Sequence, residues 1–245
     1  MKRAAIVLSG CISNKQGCFR TTDVITNNYV NINYAYSSYM LNLINCNPDV
    51  SFDFYIHSWT YTLKNELINL YNPIKYRFED NNIYKKDFEK ILELYKIPAK
   101  RHLGQLSKAL SVKNVIQLMV ENNVEYDYVI STRFDIMINK QIILSELDMN
   151  NIYIDTDYLI GEMIHIMSYE NAKKFGNLYD YSQNGYILPE LHKWIYQYFS
   201  NGLNVECKTL HCDSFLVRNL GKNTSTNIIE KYNIDIREIK KYSWK

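Results

Sequence analysis

The sequence predicts an α/β fold: a single domain on a mixed, mostly parallel, Rossmann-type central sheet flanked by helices. Three observations predict it. Residues 4–8, 52–57 and 126–132 are short apolar, aromatic or β-branched runs of strand length. Dozens of residues separate each run from the next, room enough for a crossover helix. The intervening segments place apolar residues at helical spacing, so the order is βαβαβ, which favours parallel strands with right-handed crossovers.

Residues 4–8 (Ala-Ala-Ile-Val-Leu) read as a buried first strand that ends in Ser9-Gly10 and a polar loop over 11–22. Tyr36, Tyr39, Met40, Leu43 and Ile44 fall on one helical face over about 29–46, and Asn47-Pro48-Asp49 stops that helix. A second strand follows over 52–57, and a helix over about 60–71 closes at Asn72-Pro73. A third strand, 74–78, runs into Glu79-Asp80. A short helix over 87–95 leads to a basic loop, Lys100-Arg101-His102. The stripe Leu106, Ala109, Leu110, Ile116, Met119 and Val120 then marks a long helix over about 104–122, which feeds the strand at 126–132. Further on, 152–154 reads as a short strand, 169–178 as a helix, and 189–199 as a helix with Pro189 in its favoured first turn. Residues 205–210 and 215–218 read as late strands, and the stretch from 219 is a polar, peripheral tail.

Composition narrows the function classes. The chain has 245 residues, 47% hydrophobic and 22% charged, which suits one folded domain. Its net charge of +2 supplies no excess field for nucleic acid, so any anion site must be local. The five cysteines lack zinc-type pairing and suit free thiols in a reducing cytoplasm. No apolar run reaches the length of a membrane span, leaving a soluble or peripherally associated protein. P-loop, dinucleotide, α/β-hydrolase and zincin motifs are missing from the sequence.

Parallel strands bring their carboxyl ends to one edge, where open α/β sheets bind ligands. Four strand ends meet there: Ser9-Gly10, His57-Ser58-Trp59, Glu79-Asp80 and Arg133-Phe134-Asp135. Ser9 and Gly10 let a ligand approach the main chain closely, or form a plain turn. Lys100 and Arg101 stand before a helix amino end, where a phosphate is favoured, or are simply solvated. Asp135 could hold Mg²⁺ or Mn²⁺ on a diphosphate, and Arg133 could neutralise the diphosphate directly. Alternatively the two form a structural ion pair at the rim. His57 reads as a packed or capping histidine. Beyond the sheet, Asp155, Asp157, Glu162 and Glu190 are candidate general bases, with Glu190 equally suited to a helix first turn.

The order Ile-Val-Leu-Ser-Gly at 6–10, Phe-Tyr-Ile-His-Ser-Trp at 54–59 and Tyr-Asp-Tyr-Val-Ile-Ser-Thr-Arg-Phe-Asp at 126–135 resembles small GT-A-like glycosyltransferases of bacterial and large-DNA-virus surface-glycan loci. The resemblance implies a GT-A-like fold with a nucleotide-sugar-binding part over about 1–140, an acceptor-binding part over about 141–220, and a peripheral tail over 221–245. It implies transfer of a sugar from a nucleotide-diphosphate donor to a glycan hydroxyl. Ser9 and Gly10, with Glu79 or Asp80 and with Arg20, would surround the nucleotide, and Lys100 and Arg101, or Arg133, the diphosphate. Asp157, Glu162 or Glu190 would serve the acceptor. Asp135 would take the place of a metal-binding Asp-x-Asp motif, but Arg133 stands at the first acid, which weakens the expectation of a divalent metal. Two other functions share these features: a sugar nucleotidyltransferase and a catalytically silent glycan-binding protein.

Overall fold

A computed structural model describes residues 1–12, 32–155, 163–184 and 191–216. Its centre is a seven-stranded sheet. Strand β1 (Lys2–Gly10) lies between β2 (Val50–Ser58) and β4 (Tyr128–Thr132), and β3 (Lys75–Phe78) adds to β2, all four parallel. On the other side of β4 come β7 (His165–Met167), β6 (Ile152–Ile154) and β8 (Cys207–Thr209), with β7 alone reversed. The α/β, mostly parallel architecture read from the strand order is the one observed.

The first strand shows why the order works. Residues 4–9 of β1 are all buried, and their side chains alternate between two cores. Ala5 and Val7 join the core under the long helix α4 (Ala99–Val120), while Ala4, Ile6 and Leu8 join the opposite core under α1 (Ile32–Tyr39) and α2 (Lys64–Tyr71). A strand covered on both faces must be apolar throughout, and this one is. The first of these cores also takes residues of α3 (Lys85–Leu94), α5 (Tyr169–Phe175), α6 (Leu178–Gln183) and α7 (Leu191–Gln197).

Several boundaries differ from the expectation. The stretch Lys100-Arg101-His102 is not a loop: α4 begins at Ala99, directly after Pro98. Lysine and arginine are good helix formers even where they interrupt an apolar stripe, so the stripe began later than the helix. The helix expected over 169–178 is two helices, α5 and α6, joined at Gly176-Asn177. Two short strands carried too little pattern to register: β7, and β5 (Ile136–Ile138). The latter pairs with β9 (Ser214–Leu216) in a separate two-stranded ladder, so the last strand stands apart from the main sheet. Pro189, the loop over 13–22 and the tail from 219 lie outside the described residues.

Candidate functional site

The carboxyl edge of β1, β2 and β4 is built around two turns locked to each other. After β2, Trp59 N–H donates to the Gly10 carbonyl at 3.2 Å, Thr60 Oγ1 accepts from Ile12 N–H at 3.1 Å, and Thr60 N–H is held by Ser58 Oγ. The turn after β1 therefore has a fixed path, and Gly10 adopts φ +115° in it. Among the described residues, open space surrounds this glycine: a Cβ built there would meet none of their atoms within 4 Å. Among the described residues nothing blocks a close approach to the main chain here.

A cation reaches the same point from α4. Lys108 Nζ donates to Ser9 Oγ at 3.2 Å, and Ser9 itself is fully buried. Sequence reading passed over Lys108. The sequence does show polar residues, His102, Gln105, Ser107, Ser111 and Asn114, among the apolar ones of this helix, but only the structure shows them buried.

The end of β4 is held by Tyr39, whose hydroxyl donates to the Arg133 carbonyl at 2.6 Å and lies 3.3 Å from Thr132 Oγ1. Burial pushes the Tyr39 phenol well up, so it stays a donor at any ordinary pH. Beyond it, Arg133 folds back onto Asp135: Nε reaches Oδ1 and Nη2 reaches Oδ2, both at 2.7 Å. Asp135 is 1% exposed. Both of its oxygens face a guanidinium, and a divalent ion beside them would meet that positive charge at close range. Among the described residues, no group of three His, Cys, Asp or Glu side chains is placed to hold a metal. Asp135 in this arrangement does not fit the metal-ligand expectation.

Glu79 and Asp80 occupy the same edge at the end of β3, with partners of their own. Asp80 Oδ1 accepts from Asn82 N–H at 3.0 Å and starts the 3₁₀ turn Asn81–Tyr84. Glu79 accepts from Tyr84 Oη through Oε1 and meets His57 Nε2 and Asn114 Nδ2 through Oε2, at 3.0 and 3.2 Å. His57 Nδ1 lies 2.7 Å from Ser111 Oγ. Nε2–H donating to the carboxylate leaves Nδ1 to accept from Ser111, a tautomer set by its neighbours. His57 and Ser111 are completely buried. The constellation outwardly looks like a Ser-His-Glu triad, yet its hydroxyl is sealed in the core, so it braces β2 and β3 against α4. Burial holds the His57 pKa down, and the hydrogen bond from His57 holds that of Glu79 down.

A second carboxylate stands on the same edge. His165 on β7 faces Ser131 of β4 on one side and Ile154 of β6 on the other. The next residues along those two strands, Thr132 and Asp155, therefore share a row, two inter-strand spacings or about 10 Å apart. Asp155 takes a hydrogen bond from Ser214 of β9, and β9 pairs with β5 directly after Asp135. The small ladder thus joins the two acidic positions. Lys100 and Arg101 sit in the first turn of α4. Arg20, Asp157, Glu162 and Glu190 lie outside the described residues.

No protein-family model matches the chain, and no curated protein matches it. Among solved structures it is similar to apo mouse xyloside xylosyltransferase 1, at 11% identity over 86% of each chain with a TM-score of 0.45, a likeness too distant to carry a functional argument. No described helix is long and apolar enough to cross a membrane.

Proposed function

We propose that the chain is a glycosyltransferase that moves a hexosyl or pentosyl group from a nucleotide-diphosphate sugar to a hydroxyl of a glycan. The observation that supports this most is the carboxyl edge itself: an open glycine turn at Gly10, the Lys108 ammonium on Ser9, and the Arg133 guanidinium at the end of the neighbouring parallel strand. Close main-chain approach combined with two cations suits a diphosphate. In the reaction, the acceptor oxygen forms a bond to the anomeric carbon as the bond to the β-phosphate oxygen breaks. The leaving diphosphate takes the electron pair, and the acceptor proton passes to a base.

Gly10 would contact the nucleotide side of the donor, Ser9 would hold Lys108 beside it, and Arg20 is proposed to join them. Lys108 and Arg133 would carry the diphosphate charge, with Lys100 and Arg101 as further candidates, and Asp135 would orient Arg133. Glu79 and Asp80 would support the pocket wall rather than bind the base, since each already serves as a bracing or capping group. The acceptor base is proposed from Asp157, Glu162 and Glu190. On this reading cationic side chains do the work expected of a divalent ion, the setting is cytoplasmic with peripheral membrane contact, and the partners are a nucleotide sugar and a glycan.

Calorimetric titration with UDP, GDP, CMP and dTDP, each with and without Mn²⁺, tests the proposal. Binding of at least one nucleotide without Mn²⁺ is the expected result. Failure of all four under both conditions removes the donor assignment.

A further inference from the structure

Strand β6 ends in a carboxylate whose two oxygens are served unequally. Asp155 is 6% exposed. Its Oδ2 accepts from Ser214 Oγ, while Oδ1 is buried with no hydrogen-bond partner among the described residues. Burial pushes the carboxyl above its ordinary range, although the Ser214 hydrogen bond and the main-chain N–H groups of Asp155 itself, Ile164 and Met163 favour the charged form; none of these N–H groups makes a hydrogen bond of normal geometry to Oδ1. Buried acceptors in folded proteins are nearly always satisfied, and an exception calls for an explanation. This exception lies one row beyond the Ser131–His165 pair that ends the ladder of β4 and β7, at the edge where open α/β sheets take their ligands.

The chemistry of the missing partner follows from the atom left over. A lone carboxylate oxygen needs a hydrogen-bond donor, so a phosphate or a carbonyl would not serve. An ammonium is not excluded by geometry, but a neutral hydroxyl costs less to bury. The neighbouring thiol offers no rival chemistry: burial and the charge of Asp155 push Cys212 up to about 12, so it stays protonated.

We infer that Asp155, with its carboxylate plane fixed by Ser214, is the sugar-recognising residue of the site, and that Oδ1 accepts a hydroxyl of the donor's sugar ring. The inference rests on the nucleotide-sugar reading above. A diphosphate gripped at Arg133 leaves the attached ring to extend along the edge, and the row from Thr132 to Asp155 spans about 10 Å, a distance that a hexose or pentose on a phosphate can bridge. No bond is made or broken at Asp155; it selects and positions.

The test compares a nucleoside diphosphate with its nucleotide sugar on the full chain, using UDP, GDP and dTDP against their hexose and pentose conjugates. Asp155→Asn keeps the shape and turns one oxygen into an amide. Its affinity for the nucleotide sugar should fall about ten- to a hundredfold, the worth of a hydrogen bond to a charged group, with affinity for the nucleoside diphosphate unchanged. Ser214→Ala should give a smaller loss in the same direction. A donor lacking the contacted hydroxyl should bind the wild-type protein weakly and lose nothing further in Asp155→Asn. Equal losses for both ligands, or no loss, would overturn the inference and leave the transferase reading intact. A rise in the acceptor KM with donor affinity unchanged would overturn it by moving Asp155 to the acceptor. Wild-type protein that binds no nucleotide removes both. Should Asp155→Asn fail to fold, the Ser214→Ala titration and the deoxy-sugar series on wild-type protein decide the matter alone, and indifference to every ring hydroxyl sinks it.

Discussion

Asp135 is clasped by Arg133 through two parallel hydrogen bonds of 2.7 Å, so a buried carboxylate carries its own counter-ion two residues away. Because Asp135 is almost completely buried, the pair is unequal: removing the cation strands a charge in the core, whereas neutralising the acid leaves an arginine near the surface. Arg133→Ala should therefore destabilise by about 3–5 kcal/mol, and Asp135→Asn by clearly less. Urea unfolding of both variants measures the difference. Equal effects would mean that the carboxylate has a second strong partner.

Arg133→Lys separates structure from binding. Lysine keeps the charge but loses the two-pronged geometry, so stability should fall while part of the nucleotide affinity remains. If nucleotide affinity vanishes although the variant is folded, the fork itself engages the ligand.

Lys108 is predicted to matter for binding far more than for folding. Lys108→Met keeps the aliphatic stem that packs along α4 and deletes the ammonium. Nucleoside diphosphate affinity should drop about tenfold or more, as for one charge-assisted bond, with little change in Tm. Unaltered calorimetric affinity would remove Lys108 from the diphosphate site.

At Gly10 the constraint comes from backbone and not from space. With φ at +115° and no described residue near the position of a Cβ, Gly10→Ala should cost roughly 1–3 kcal/mol of strain. The added methyl would occupy the opening a ligand needs, so binding should fall even under conditions where the variant is fully folded. Thermal melts and titrations run side by side test both halves.

The His57 and Glu79 pair predicts acid sensitivity. Both groups have folded pKa values below their ordinary values of 6.5 and 4.5. In each case the unfolded chain binds the proton more readily, so stability is greatest above the ordinary value and declines as pH falls through the folded one. Tm should start to fall below about pH 6.5 from His57, with Glu79 adding to the loss below 4.5. His57→Gln should be less stable at pH 8 but flatter between pH 6.5 and 5. A parallel slope in that variant would assign the acid sensitivity to other groups.

The strand ends at Ser9-Gly10, Glu79-Asp80 and Arg133-Asp135 were legible because apolar runs of strand length stop abruptly there. Lys108 was not, since a lysine on a helix reads as solvated until the strand beneath it is known. The strands β5 and β7 were missed because three residues carry almost no period, and neither Ile-Met-Ile nor His-Ile-Met has the aromatic β-former that marks Ile152-Tyr153-Ile154.

By itself the sequence determined the α/β class, the parallel order of the first strands and the edge where their polar ends collect, because burial on both faces forces long apolar runs and crossover connections impose direction. Only the tertiary structure decided what the charges at that edge do. Arg133 and Asp135 are two residues apart in the chain, and whether such a pair opens toward a ligand or closes on itself depends on Tyr39 and on burial. Asp155, Ser214 and Ser9 with Lys108 come together from distant parts of the chain, and local pattern holds no record of contacts made across a sheet.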